Sequence, residues 1–480
     1  MEAFKEGRLY QTIVVSDLHL ADAEPLDPER PLWKLFKRRE LFFDQEFIRC
    51  VEHIEEQYDG NTELILNGDI FDFDCITQLP EEPPAEIDWL ARLRGLGTEE
   101  WMSAFKMQCI LEDHAAWFEW LGEFVRRGNK LVFGIGNHDL ELSWPSVQAS
   151  IRASMGLEQD SDAGDGVVFC SWFYVSEGDT YISHGHQYDP FCVVRDPVHP
   201  FIQIKGRSQV RLPFGELAER YMLNGMGYFN PHATSNFIME LKDYVTFFFK
   251  YMLRRQPLLV WTWFWGALTT LFLTLTHFVR PVLRDPLEVE DRTREVADDA
   301  NVTPEVVRQL HAVSTPSACA NPLRLVRELW LDRALLFLGM LYLGFQFFAA
   351  ANLVAPLSAW WGLVPVLLLA PLFFSYSYSV TSAVFNMTLL SVQQARLIAK
   401  ITGCRRIVLG HSHEPEVRQL GETTYLNSGF WSPAYAEPEC INRLGEPTFV
   451  WIKGDHDGGR RSAELLGWPP GAREPQRLNF

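Results

Sequence analysis

"VVSDLHLAD", Val14–Asp22, sets an Asp and a His one residue apart directly after a β-branched apolar run. One such pair is compatible with a polar turn. Its meaning depends on what the chain places after its other strand-like runs. "TELILNGDIFD" ends with Asp69 and Asp72, and "KLVFGIGNHD" with Asn137, His138 and Asp139. "DTYISHGH" ends with His184 and His186, and "RRIVLGHSH" with His411 and His413. Each is a short apolar run followed by groups able to ligate a metal. Between them lie stretches with apolar residues three and four apart, such as Leu41–Tyr58 and Trp101–Arg127. The alternation predicts an α/β chain, and in such folds sites collect where the carboxyl ends of strands converge.

Taken singly, each motif has a plain structural explanation as a turn or a solvated loop. Five of them in order, each after a strand, predict one metal site. Carboxylates, imidazoles and one amide oxygen, without thiolate, suit Mn²⁺ first, with Fe or Zn²⁺ also fitting, and suit Ca²⁺ poorly. The seven candidate ligands, Asp17, His19, Asp69, Asn137, His184, His411 and His413, exceed what one ion needs. They predict two divalent ions sharing a bridging carboxylate, an arrangement suited to clamping a phosphoryl group for in-line attack by a hydroxide held between the metals.

The blocks "SDLH", "NGDIFD", "GNHD", "SHGH" and "GHSH" resemble those of the calcineurin-like metallophosphoesterases. The likeness covers roughly residues 8–200 and 400–455. It implies a fold of two β-sheets packed face to face and flanked by helices. It also implies that Asp17, His19, Asp69 and His413 hold one metal. Asp69 would bridge to a second, held by Asn137, His184 and His411 as well. His138 would contact the phosphate or protonate the leaving oxygen, with Asp72 orienting it. The resemblance to UDP-2,3-diacylglucosamine hydrolases is partial, because those commonly carry Arg where this chain has His138. His186 either reaches substrate or packs. Asp139 is expected to cap its loop, and "YLNSGFW" (Tyr425–Trp431) to serve as wall and packing.

The net charge of −19 argues against a surface that coats nucleic acid. The eight cysteines form no CxxC pair, so buried reduced thiols are expected. The N-terminus shows no apolar signal segment, which favours a cytoplasmic catalytic domain.

A long insertion separates His184 from His411. Leu258–Val279 carries no charged residue, and from Ala334 to Ala395 there is no Asp, Glu, Lys or Arg. A membrane-spanning helix needs about 20 apolar residues, and Trp261, Trp263, Trp265, Trp360 and Trp361 cluster near the ends of the apolar stretches. Both flanks of the insertion must build one site, so the number of crossings must be even. With three apolar blocks, 258–279, 334–354 and 359–382, either a fourth weak crossing exists or one block is re-entrant or interfacial. Pro356, Pro365 and Pro371 point to the last.

The expected organisation is a catalytic domain over 8–200 and 396–460, a membrane-proximal helical region over 201–256, a membrane insertion over 257–395 and a polar tail over 461–480. The insertion includes a polar excursion at 285–333, with a helix start at Thr303-Pro304-Glu305. Arg207, Arg211 and Arg220 are candidate phosphate contacts. The expected function is a multi-pass membrane phosphoesterase acting on a lipid-linked phosphate or pyrophosphate ester, with membrane lipids as its surroundings. Two rivals stand beside it: an anchored enzyme for soluble nucleotides or phosphoproteins, and a silent membrane sensor or scaffold. Oligomeric state is left open.

Overall fold

The computed structural model describes residues 10–58, 60–157, 166–227, 246, 248–252, 259–280, 286–380, 389–454 and 461–478. Most of 228–258, within the expected membrane-proximal region, lies outside the described residues. The strands in chain order are β1 Gln11–Val15, β2 Thr62–Asn67, β3 Lys130–Gly134, β4 Val167–Cys170, β5 Phe173–Ser176, β6 Thr180–Ser183, β7 Phe201–Ile204, β8 Arg207–Val210, β9 Arg406–Leu409, β10 Glu416–Leu420, β11 Thr423–Asn427, β12 Thr448–Lys453, β13 Ser462–Gly467 and β14 Gln476–Arg477. One sheet has the order β14-β13-β12-β1-β2-β3-β4, with β1 to β4 parallel to one another and β12 antiparallel to β1. A second has the order β10-β11-β9-β6-β5, with β11, β9 and β6 parallel. Strands β7 and β8 form a separate hairpin. The chain is thus a mixed α/β protein.

The two-residue period of β1 explains the layering. Ile13 and Val15 face a core shared with Phe47, Trp117, Phe118 and Phe124 of the helices Asp44–Glu56 and Ala115–Arg126. Val14 points the other way, into a cluster with Ile65, Val132 and Val450 of its own sheet and Tyr174, Ile182, Val408 and Leu426 of the second. The sheets therefore meet face to face on apolar side chains. Glu63, buried between them, is satisfied by the hydroxyls of Tyr174 (2.6 Å), Ser176 (2.5 Å) and Thr12 (3.0 Å).

Several boundaries differ from the sequence reading. Trp101–Arg127 is two helices, Glu100–Asp113 and Ala115–Arg126, hinged at His114. The segment expected as a polar excursion packs, through its first two helices, on the second sheet. Its helices Pro286–Asp299 and Pro304–His311 set Val296, Ala297, Val307 and Leu310 against Trp172, Phe173 and Tyr181, covering the outer face of the second sheet. Thr303 occupies the N-cap, yet its side chain makes no capping bond. The expected polar tail holds β13 and β14. β13 pairs along the whole of β12 and buries Leu466 and, just beyond, Trp468. Short polar-flanked strands leave little periodicity to read, so only pairing reveals them.

Two helices are long and apolar enough to cross a membrane, Leu331–Val354 and Ala359–Ser379. They pack on each other as a hairpin, with Gly344 letting Val366 approach closely, and are otherwise exposed. The expectation that the last block is the broken one is corrected. Pro371 sits inside the continuous helix Leu363–Ser379, Pro365 falls in its first turn where a missing N–H costs nothing, and Pro356 precedes it. The block with a different setting is the first. Helix Leu259–Val279 lies against the helix Phe214–Tyr221, burying Ala267 and Thr270 while Trp261, Trp265 and Phe272 stay exposed.

Trp468 is 1% exposed and packs in the main core. Trp468→Ala should cost ~3–5 kcal/mol, seen as a lower urea midpoint. An unchanged midpoint would mean the C-terminal strands are dispensable.

Candidate metal centre

Strands β1, β2 and β3 are parallel neighbours, so the residues after them emerge side by side: Asp17 and His19, Asp69 and Asp72, Asn137 to Asp139. In the second sheet β6 and β9 are parallel neighbours and deliver His184, His411 and His413. The loops are stitched by backbone bonds, Asp17 N–H to Gly68 O (3.1 Å), His19 N–H to Asp69 O (2.9 Å) and Gly410 N–H to His184 O (2.7 Å). Asp17, His19, Asp69, His411 and His413 all have φ between 49° and 68°, the left-handed region that non-glycine residues rarely adopt. Such strain persists where surrounding structure enforces it, and here it falls on the candidate ligands. At Gly136 a Cβ would meet Asp69 Oδ1 at 2.2 Å, and at Gly410 it would meet Asp17 Oδ2 at 2.6 Å. No larger residue lets these loops close around the carboxylates.

One donor atom each from Asp17, His19 and His413 lies within 4.8 Å of the other two, and the same holds for Asp69, His184 and His411. His19 also groups with Asp69 and His138, so the sets adjoin. His184 Nε2 stands 3.0 Å from Asp69 Oδ2 and His413 Nε2 3.1 Å from Asp17 Oδ1. Yet Asp17 Oδ1 and His184 Nε2 complete no hydrogen bond. Asn137 gives Nδ2 to Glu216 Oε1 (2.7 Å), while its buried Oδ1 has no partner. Buried lone pairs left unsatisfied are rare in folded proteins. Asp17 Oδ1 and His184 Nε2 lie 4.0 Å apart, close enough for one divalent cation to reach both. Two imidazoles are also fixed from behind, His184 Nδ1 on Asn67 O (3.0 Å) and His411 Nε2 against Asp189 Oδ2 (2.9 Å). Such outer bonds set the tautomer and aim the other nitrogen. These groups could hold a metal ion.

The charges are mutually dependent. Burial alone would raise the Asp17 and Asp69 carboxyls, but His184 beside both, with His413 near Asp17 and His138 near Asp69, holds them below the ordinary range, Asp69 well below. Burial would lower His184, yet Asp69 and Asp17 push it up to about 10. Burial, with Asp69 alongside, lifts Asp139 to about 8. Asp139 accepts N–H bonds from Ile70 (2.7 Å) and Gly136 (2.6 Å), tying two ligand loops together.

His138 is partly exposed at the rim, its ring centroid 4.9 Å from that of His19. Its Nδ1 is 4.0 Å from Asp72 Oδ1, beyond hydrogen-bond reach, and nearer Glu219 Oε2 at 3.4 Å. Asp72 accepts instead from Cys75 N–H (2.9 Å) and Sγ (2.7 Å). Glu219 is thus the nearer carboxyl to His138, although Nδ1 completes a hydrogen bond with neither. His186 is buried, contacts Gln187 and is held well below the ordinary histidine range by burial and by His184 and His411; it packs. Arg207 pairs with Glu99 on the β7–β8 hairpin, Arg211 donates to Arg280 O, and Arg220 faces buried Asp74. In Tyr425–Trp431, Asn427 donates to Gly410 O and Trp431 N–H to Asp17 O, so the segment straps the loops from behind.

The sequence reading passed over Glu216, Glu219 and Asp189. Glu216 and Glu219 are three residues apart in Phe214–Tyr221, a spacing that puts both carboxylates on one helix face. That was the available signal, overlooked in favour of Arg220.

Asp69→Asn and Gly136→Ala should each strip bound metal from the purified protein, read as metal content by mass spectrometry; full retention in both would remove the site. The proton on His184 competes with a metal. With that group at about 10 in the metal-free protein, it is charged at neutral pH. Metal uptake there must expel a proton, so affinity should rise about tenfold per pH unit from pH 7 toward 9. Calorimetry in buffers of different ionisation enthalpy reads the released proton, and no buffer dependence would contradict it. Compared with known proteins, the chain matches no protein-family model and none of the curated proteins.

Proposed function

We propose that this chain is a membrane-bound binuclear metallophosphoesterase of the calcineurin-like type, hydrolysing a phosphate or pyrophosphate ester carried on a lipid. The observation that carries the reading is that Asp17, His19, Asp69, His184, His411 and His413 come from four strand ends into adjoining clusters, with Asp17 Oδ1, His184 Nε2 and the Oδ1 of Asn137 after β3 making no hydrogen bond. Mn²⁺ is the first choice for such a mixed nitrogen and oxygen set, with Fe or Zn²⁺ next. Asp17, His19, Asp69 and His413 would hold one ion and Asp69, Asn137, His184 and His411 the other. When bound, the pair would supply neutralisation of phosphoryl charge and a water acidified toward neutral pH. The protein's own part is to fix these ligands and to place His138 at the open edge. With Nδ1 turned toward Glu219, Nε2 is the nitrogen left to contact the phosphate or give a proton to the leaving oxygen.

A lipid-linked substrate is favoured by where the apolar helices sit. Helix Phe214–Tyr221 has Asn137 and His138 on one side and the apolar helix Leu259–Val279 on the other. One helix thickness, about 10 Å, separates site and apolar layer. The hairpin Leu331–Val354 and Ala359–Ser379 would enter the bilayer and return, leaving both halves of the site on one side. The anchored enzyme for soluble nucleotides or phosphoproteins uses the same chemistry without this proximity. A silent scaffold would not need His138 at the open rim.

Purified protein with Mn²⁺ should hydrolyse bis(4-nitrophenyl) phosphate or 4-nitrophenyl phosphate. Asp69→Asn should abolish turnover, and His138→Gln should lower kcat by about 10²–10⁴. Absence of turnover with wild-type protein carrying its metal would favour the scaffold. Equal turnover of soluble nucleotides and detergent-dispersed phospholipids would favour the anchored enzyme.

A further inference from the structure

We propose that the helix Phe214–Tyr221 is a positioning element through which the apolar part of the chain sets the geometry of the site. Glu216 holds Asn137, Glu219 holds His138, and helix Leu259–Val279 clamps the other side. For Asn137 this rests on the metal-site reading, and for His138 on the phosphoesterase reading.

Glu216 is fully buried and accepts from Asn137 Nδ2 at 2.7 Å, which fixes the amide with Oδ1 free. Glu219, 4% exposed, sets Oε2 3.4 Å from His138 Nδ1 and Oε1 3.3 Å from Cys75 Sγ, whose proton Asp72 takes at 2.7 Å, so its carboxyl stands between the two side chains. Both residues lie on one helical turn, so a shift of that helix moves Asn137 and His138 together.

The clamp is equally specific. Gly266 brings the apolar helix so close that a Cβ there would meet Tyr221 O at 2.8 Å and Met222 Cα at 2.9 Å. Thr270 Oγ1 donates to Leu217 O at 3.3 Å. Around this contact Phe214 and Ala267 share a cluster with Cys319, Leu325 and Leu331, and Leu331 begins the exposed hairpin. An unbroken packed path thus runs from the hairpin, through Leu259–Val279, to the helix that holds two site residues. Packed elements transmit a displacement because they have little free volume to absorb it.

The experiment measures Mn²⁺ affinity by calorimetry, and kcat and KM, on the full chain in detergent. Glu216→Ala should weaken Mn²⁺ binding tenfold or more, and Glu216→Gln, whose amide oxygen still accepts, should restore it. Glu219→Ala should lower kcat while KM and Mn²⁺ affinity hold. Gly266→Ala should weaken Mn²⁺ binding although it touches no ligand. The matched Gly339→Ala, on the exposed hairpin with nothing within 4 Å of the added carbon, should not. If Gly266→Ala does not fold, Thr270→Val is read in its place. Unchanged Mn²⁺ affinity in Glu216→Ala overturns the positioning role. Equal affinities in Gly266→Ala and Gly339→Ala overturn the clamp. Retained Mn²⁺ in Asp69→Asn would sink the metal reading itself, and absent turnover with metal bound the phosphoesterase reading alone.

Discussion

Asp17 is where the two sheets are locked together at their working end. Its carboxylate accepts the backbone N–H of His411 from the second sheet, and its N–H binds Gly68 O in the first. Its carbonyl takes the N–H groups of Trp431 and Ser432 from the strap behind. The residue is fully buried and sits in a left-handed backbone conformation. A buried carboxylate needs compensation for lost hydration. It comes from His184 and His413, carried by the second sheet from either side of the long insertion, so the electrostatics that make Asp17 tolerable also require both halves of the chain to be present.

That requirement explains the long detour. His411 and His413 follow the apolar hairpin, while the strands they must meet precede it. The chain returns through the helix Val392–Thr402, started by a reciprocal Ser391–Gln394 capping box and packed on the second sheet. The helices Pro286–Asp299 and Pro304–His311, inside the insertion by position, cover the same sheet. The insertion is therefore interwoven with the two-sheet body that carries the candidate metal centre. This makes the apolar helices candidates for more than anchorage, and the proposed role of Phe214–Tyr221 gives that idea specific residues.

The metal-ligand candidates were legible because strand ends advertise themselves. A β-branched run stops, and Asp, Asn or His follows within a few positions. The apolar hairpin was legible from its length without charge. The reading failed where a residue's role depends on a partner far away in the chain. Asp72 looked like the partner of His138, but Cys75 engages it and Glu219, from another segment, comes nearer. Nor did the sequence show the partners of Arg207 and Arg211, which are Glu99 and the Arg280 carbonyl. Pro371 looked like a helix breaker, yet the helix runs through it.

By itself the sequence determined the alternating α/β character, the five ligand-bearing strand ends and the apolar stretches, because each is a local pattern of residue type and period. Only the tertiary structure decided which strands are neighbours, and hence which ligands share a cluster. It also decided which apolar helix docks on the helix Phe214–Tyr221, and which carboxylates, Glu216, Glu219 and Asp189, stand behind Asn137, His138 and His411. Those choices are made by contacts between segments distant along the chain, where packing and the need to satisfy buried charge outweigh any local preference.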